Sequence, residues 1–172
     1  MKPTFSFFLI ISLFLISCPK DKIDAPDVRI TITGITVRDE AGLLTGEVDT
    51  TDWNSDAAFP DKVNTLLNFT DTLDYSYVYN STISISAYPN PFENQFIFRV
   101  SSTENTLMKY IIVDESLKVY TKRALNLTYG NHTFSILTDN LLPASKYYRM
   151  YYAFYNYTKT AYYKGHGDLK KI

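Results

Sequence analysis

The chain has 172 residues with 17 basic and 18 acidic side chains and a net charge of −1. Near-neutrality without one continuous basic face argues against a nucleic-acid partner. Its 15 tyrosines, 11 phenylalanines and only 6 glycines make an aromatic, strand-favouring composition, so an all-β fold is expected. Residues 21–74 hold twelve acids and four bases, whereas residues 146–172 hold six bases and one acid, so the two parts are expected to attract each other.

Lys2 precedes an apolar run from Phe5 to Ile16, interrupted only by Ser6 and Ser12. That run is too short to cross a hydrocarbon core of about 30 Å as a helix. Residues 1–17 therefore read as a secretory signal peptide. Leu15-Ile16-Ser17-Cys18 resembles the lipobox of bacterial lipoproteins, where the cysteine thiol accepts a lipid. The resemblance implies diacylglyceride and palmitate-type chains on Cys18, enough for stable attachment to the outer membrane. Cys18 is the only cysteine, so no intramolecular disulfide is expected. Residues 18–27 read as a tether. Within it, Pro19-Lys20-Asp21 resembles the lysine-acidic tag of surface-exposed Bacteroidetes lipoproteins, which implies a surface-exposed location.

Residues 28–82 form an acidic strand-plus-short-helix segment in this reading. Val28-Arg29-Ile30-Thr31-Ile32-Thr33 alternates as a strand does, and Ile35-Thr36-Val37 continues it past a bulge at Gly34. Asp39 to Gly42 is a turn, and Leu43 to Val48 a short second strand. Thr50 to Asp56 is a polar loop carrying Trp53, the one tryptophan. The period then changes: Phe59, Val63, Leu66 and Leu67 recur at helical spacing, with Pro60 in the first turn, where its missing N–H costs nothing. The helix is expected to end near Asn68, with residues 70–82 as a connection.

From residue 83 to 172 the alternation predicts seven strands, at Ile83–Tyr88, Gln95–Ser101, Leu107–Val113, Leu117–Lys122, Asn131–Leu137, Lys146–Asn156 and Thr160–Lys164. Short strands at this spacing predict an immunoglobulin-like seven-stranded sandwich. Phe96, Phe98 and Val100 share one side of their strand, with Ile97 and Arg99 on the other. Pro89 and Pro91 remove two backbone donors and enforce a rigid corner between the first two strands.

Tyr88-Pro89-Asn90-Pro91-Phe92 at the opening of a C-terminal β-domain resembles the C-terminal sorting domain of type IX secretion cargo in Bacteroidetes. That family carries a D-x-x-G turn, an L-x-x-G-x-Y step and a short basic-apolar end. Asp114-Glu115-Ser116-Leu117, Leu142-Pro143-Ala144-Ser145-Lys146-Tyr147 and Leu169-Lys170-Lys171-Ile172 stand at those places. Leu117 and Ser145 occupy the positions of the family's glycines. The resemblance implies a β-sandwich in which Tyr88, Pro89, Asn90, Pro91, Phe92, Leu142, Tyr147, Lys170 and Lys171 are export-signal-like residues, available to a secretion machinery.

Catalytic signatures are few. His132 shares a strand face with Phe134 and Ile136 and reads as a sheet-edge residue. Gly165-His166-Gly167-Asp168 reads as a turn that lets the last residues fold back; a His–Asp pair there has no nucleophile at a recognisable spacing. Asp52-x-Asn54-x-Asp56 has the opening rhythm of an EF-hand, but Ala57 stands for its glycine and Val63 for its bidentate glutamate. A solvated acidic loop is preferred to an irregular calcium site, and neither a metal nor a cofactor is expected. On the strand from Lys146, the face bearing Tyr148, Met150, Tyr152 and Phe154 reads as core. The opposite face sets Tyr147, Tyr151 and Tyr155 about 7 Å apart with Arg149 between them. Exposed, that row would be a ligand face for an envelope glycan; buried, it is sheet packing.

The expectation is a non-enzymatic, lipid-anchored cell-envelope protein whose sandwich is a structural or interaction module. Alternatives are a type IX cargo with an export signal and a glycan-binding surface module.

Overall fold

The computed structural model describes residues 28–76 and 83–172. Cys18, the signal peptide and the whole tether lie outside the described residues, as do residues 77–82 of the expected connection. Those described form eight strands and one helix: β1 Asn54–Ser55, α1 Asp61–Leu67, β2 Ser84–Tyr88, β3 Gln95–Ser102, β4 Thr106–Val113, β5 Val119–Leu127, β6 Gly130–Leu137, β7 Lys146–Tyr155 and β8 Ala161–Lys171.

The fold is all-β. Strands β2 to β8 make a two-sheet sandwich, one sheet ordered β2-β3-β6 and the other β8-β7-β4-β5, with β1 added outside β8. All pairings between named strands are antiparallel. Counting sandwich strands alone, the first, second and fifth face the seventh, sixth, third and fourth. That is the immunoglobulin-like Greek key, with its fourth strand joined to the sheet of the third.

The alternating residues explain the core. Phe96, Phe98 and Val100 of β3 are fully buried and meet Met108, Tyr110 and Ile112 of β4 and Tyr148, Met150, Tyr152 and Phe154 of β7. Arg99 turns outward, its guanidinium donating to the Tyr88 hydroxyl at 2.7 Å.

The larger sheet also has a buried outer face, because residues 28–76 lie across it as a third layer. Helix α1 has seven residues, too few to persist alone. Val63 and Leu67, both fully buried, hold it in place with Phe59 and Leu73 against Ile111, Val113, Tyr151, Ala153 and Tyr155. Each such aliphatic side chain contributes about 1.5–3 kcal/mol when fully buried. Pro60 sits at the N-cap, close to the place expected of it.

Several expectations are corrected. Val28 to Val37 alternates but pairs with no strand among the described residues. The Ile30 amide donates to the Glu115 carbonyl, the Thr36 amide to the Asp52 carboxylate, and the Thr31 carbonyl accepts from Arg149. The run lies over the sheet rather than beside it, so one face is covered without a ladder. Leu43 to Val48 is not a strand either; a single bridge joins Arg38 to Leu44 around the Asp39–Gly42 turn. Asn54 and Ser55, assigned to a polar loop, pair with His166 and Gly165 of β8, and Trp53 beside them is buried.

The largest correction concerns Gly165 to Asp168. These residues turn nowhere: β8 runs through them for 11 residues. Their glycines make room. A Cβ at Gly165 would overlap the Asn54 carbonyl oxygen, and one at Gly167 would sit against the ring atoms of Trp53. Strand alternation then sends His166 and Asp168 to the outer face, under the third layer.

Candidate functional site

The double-proline corner is built around Asn90, which is fully buried. Its backbone N–H and C=O pair with Arg38 at 2.9 Å each. Its side-chain amide donates to the Thr36 and Asp168 carbonyls, and its side-chain oxygen accepts from the Lys170 amide at 3.0 Å. A buried amide with its polar atoms engaged fixes a unique arrangement. Phe92 continues the junction: its amide donates to the Lys170 carbonyl, and its carbonyl accepts from the Ile172 amide. The corner thus ties the end of β8 to both β2 and the outer layer.

Most of the export-signal-like residues are therefore structural in the folded chain. Tyr88, Asn90, Phe92 and Leu142 are buried, and so is Lys171, whose ammonium donates to the Thr138 carbonyl at 3.0 Å. Pro89, Pro91 and Lys170 are half-buried. Tyr147 is exposed, with the Lys170 ammonium 5.3 Å from the centre of its ring. The basic-apolar end is the last part of an inner strand, not a free tail.

The two glycine-like positions share a further property. Leu117 has φ 60° and Ser145 φ 57°, in the left-handed region that glycine enters without steric cost. Asp114 organises the first turn, its carboxylate accepting from the amides of Ser116 and Lys118 and from the Ser116 hydroxyl. Both turns, about thirty residues apart in sequence, line one open hollow of about 310 Å³ with Arg29, Lys146 and Tyr147.

Equal φ does not mean equal response. Ser145 is exposed, so Ser145→Gly is expected to raise stability by up to about 1 kcal/mol. Leu117 is buried among Phe59, Val63 and Val113, so Leu117→Gly should lower stability by about 2 kcal/mol despite the same relief. Urea midpoints of the two variants against wild type measure both signs.

Under the outer layer lies a charged cluster. Arg149 of β7 holds Asp168 of β8 bidentately, Nε and Nη2 each 2.6 Å from a carboxylate oxygen. Asp52 accepts from the Thr36 amide and the Asp168 amide, both at 2.8 Å. Asp56 lies 2.7 Å from Nδ1 of His166. Burial, reinforced by the neighbouring Asp168, pushes the Asp52 carboxyl up to about 6. Burial also raises Asp168, with Arg149 pulling the other way. Arg149 itself is disfavoured by burial, yet the hydrogen bonds and charge of Asp168 hold its pKa above the ordinary value.

Asp52, His166 and Asp168 place ligand-type atoms within 4.8 Å of one another. Both Asp168 oxygens are taken by Arg149 and both Asp52 oxygens by backbone amides, so the cluster is a set of satisfied pairs. Among the described residues no hydroxyl hydrogen bonds to the His166 ring, which therefore acts here as a clamp between layer and sheet. The attraction read from the sequence is realised by the Asp71–Lys159 pair at 2.7 Å, and the Asp56–His166 hydrogen bond joins the same two parts. In the sequence Asp52 and Asp56 read only as part of an acidic loop; that they meet Asp168 and His166 has one signal there, the charge imbalance between the two ends, and Thr36 has none. Asn54, the middle residue of the acidic rhythm, is exposed and donates to the Thr50 carbonyl.

The tyrosine row is corrected. Tyr151 and Tyr155 are 3% and 4% exposed, against 39% for Tyr147. Phe59 packs edge-on against Tyr151 at 5.2 Å, and Arg149 is committed to Asp168. Of the proposed ligand face, Arg149, Tyr151 and Tyr155 are packed beneath the outer layer and Tyr147 alone is exposed, so no row of rings is presented for a glycan to stack on. His132 lies on edge strand β6, as expected, with Nε2 2.8 Å from the Thr128 carbonyl oxygen.

No protein-family model matches the chain, and no curated protein matches it.

Proposed function

We propose that this chain is a non-enzymatic cell-envelope protein, anchored in the outer membrane by lipid on Cys18, whose β-sandwich is a structural or interaction module. The observation that carries the sandwich part is the left-handed backbone at Leu117 and Ser145. These are the two positions where the sorting-domain family carries glycine, so the turns keep the family's geometry after losing its residue. The burial of Tyr88, Asn90, Phe92, Leu142 and Lys171 favours a module over a signal read from a loose tail. The anchor rests on Leu15-Ile16-Ser17-Cys18 alone. Metabolic labelling with an alkyne palmitate analogue tests it: label is expected on wild type and lost in Cys18→Ala, and an unlabelled wild type ends the anchor.

A second reading, an export signal for a type IX machinery, is favoured by one observation. The two family-like turns and Tyr147 converge on the same hollow. Truncating residues 165–172 cannot test it, because that removes most of a strand lying between β1 and β7. Tyr147→Ala, at an exposed position, can. Loss of surface exposure in protease shaving of whole cells supports the export reading, and unchanged exposure supports the module.

A further inference from the structure

The sandwich sheets have four outer strands, and three of them are blunted. β1 is two residues long. β5 carries Lys122 and Arg123 on exposed positions, with Lys118 just before it. β2 has five residues and ends on Tyr88, held by Arg99, and on Pro89. Short length, basic side chains and proline are the devices that stop a sheet edge from accepting another strand.

β6 has none of them. Gly130-Asn131-His132-Thr133-Phe134-Ser135-Ile136-Leu137 is an eight-residue edge strand with no charge and no proline. Among the described residues only β3 pairs with it. Its core-facing His132 and Phe134 remain half-buried, rings stacked 6.2 Å apart at 9°, where a further strand would cover them. Leu137 at its end, and Tyr129 in the bend just before it, are 72% and 74% exposed.

We infer that a second copy of this chain pairs with β6 along this edge, antiparallel β6 to β6 about a two-fold axis. Opposed residues of an antiparallel pair share a sheet face, which restricts the registers. One centred on Thr133 sets Thr133 against its own copy, Asn131 against Ser135, and His132 against Phe134. It also sets Gly130 against Ile136, so seven of the eight residues of β6 are paired across the junction. A strand that pairs with itself brings any charge near its copy, and β6 holds none to repel. The two three-stranded sheets then become one of six, closed by symmetry so that no further copy adds.

Site-directed cross-linking of the full chain tests this register. Thr133 is exposed, and opposed Cα atoms in an antiparallel pair lie about 4.5–5.5 Å apart, within disulfide reach. Thr133→Cys is expected to give a disulfide-linked dimer under mild oxidation, in excess of any that wild type gives under the same conditions. Asn131→Cys and Ser135→Cys should each stay monomeric alone and cross-link when the two proteins are mixed. Thr133→Lys, which sets like charges opposite one another, should weaken self-association in light scattering about tenfold or more. The inference is overturned if Thr133→Cys dimerises no more than Lys122→Cys on β5. It is equally overturned if Ser135→Cys alone cross-links as well as Thr133→Cys.

Discussion

Gly167→Ala is expected to lower stability by about 3 kcal/mol or more, a large effect for one methyl group. Trp53 lies against Gly167, stacked on Tyr152 at 6.4 Å and packed on Phe98 at 6.2 Å. Its backbone is fixed as well, at φ 61° and with its amide donating to the His166 carbonyl at 2.7 Å. The ring has no small adjustment that admits a Cβ, so it must leave its place. β1 leaves with it, and Asp52 and Asp56 are drawn off His166 and Asp168. As the one tryptophan, Trp53 reports its own displacement: the variant's emission should shift to the red together with the fall in urea midpoint. A variant with wild-type midpoint and unshifted emission would contradict this packing.

Arg149→Met should lower stability by about 3–5 kcal/mol at neutral pH. Among the described residues the guanidinium is the one group ion-paired with the fully buried Asp168, and Asp52 stands beside that carboxylate. Methionine keeps the apolar stem and leaves the Asp168 carboxylate without its cation, beside a second acid. The loss should depend on pH in a defined direction. Asp52 has its pKa raised from 3.8 to about 6, chiefly by burial, and Asp168 is also raised. A carboxyl raised on folding binds more protons folded than unfolded, so its stabilising contribution is complete below 3.8 and lost as pH rises through the folded value. Removing Arg149 takes away the group that pulls Asp168 down, so Asp168 rises further. Arg149→Met should therefore recover part of its lost stability between pH 7 and pH 5, a larger gain than wild type shows over the same interval. Urea titrations at the two pH values measure it, and a variant whose deficit is the same at both would refute the account.

The sandwich was legible because its strands alternate. The pattern of Phe96, Phe98 and Val100 is the observed inner face of β3, and the face of β7 assigned to the core is the buried one facing the smaller sheet. Helix α1 was legible from a change of period and one proline. What failed needed a partner that the local sequence does not name. Val28 to Thr33 alternates because one side is covered, and alternation does not say whether a ladder lies alongside. Gly165 and Gly167 marked a place where the chain needs small residues. A glycine that turns a chain and one that admits a tryptophan from more than a hundred residues away look alike in sequence. The tyrosines of β7 alternate on both faces, and only the docking of α1, far earlier in the chain, shows that both are interior. Asn90 was noticed as part of a turn, while its partners Thr36 and Asp168 are 54 and 78 residues distant.

The seating of residues 28–56 on β8 sets an order of events for a chain made, or threaded through a translocon, from its first residue onward. The part that emerges first closes on the part that emerges last. Until Asp168 and Lys170 are present, Asn90 lacks two of its acceptor and donor partners, Trp53 has no glycine to cover, and Asp56 has no imidazole. A nascent chain paused anywhere before residue 165 holds β7 as an open edge and its acidic leading segment unlatched, a state suited to capture by a holding chaperone. Completion of β8 then closes the sheet, the corner and the outer layer in one event, so that resistance to proteolysis should arise once β8 is complete rather than build up with chain length.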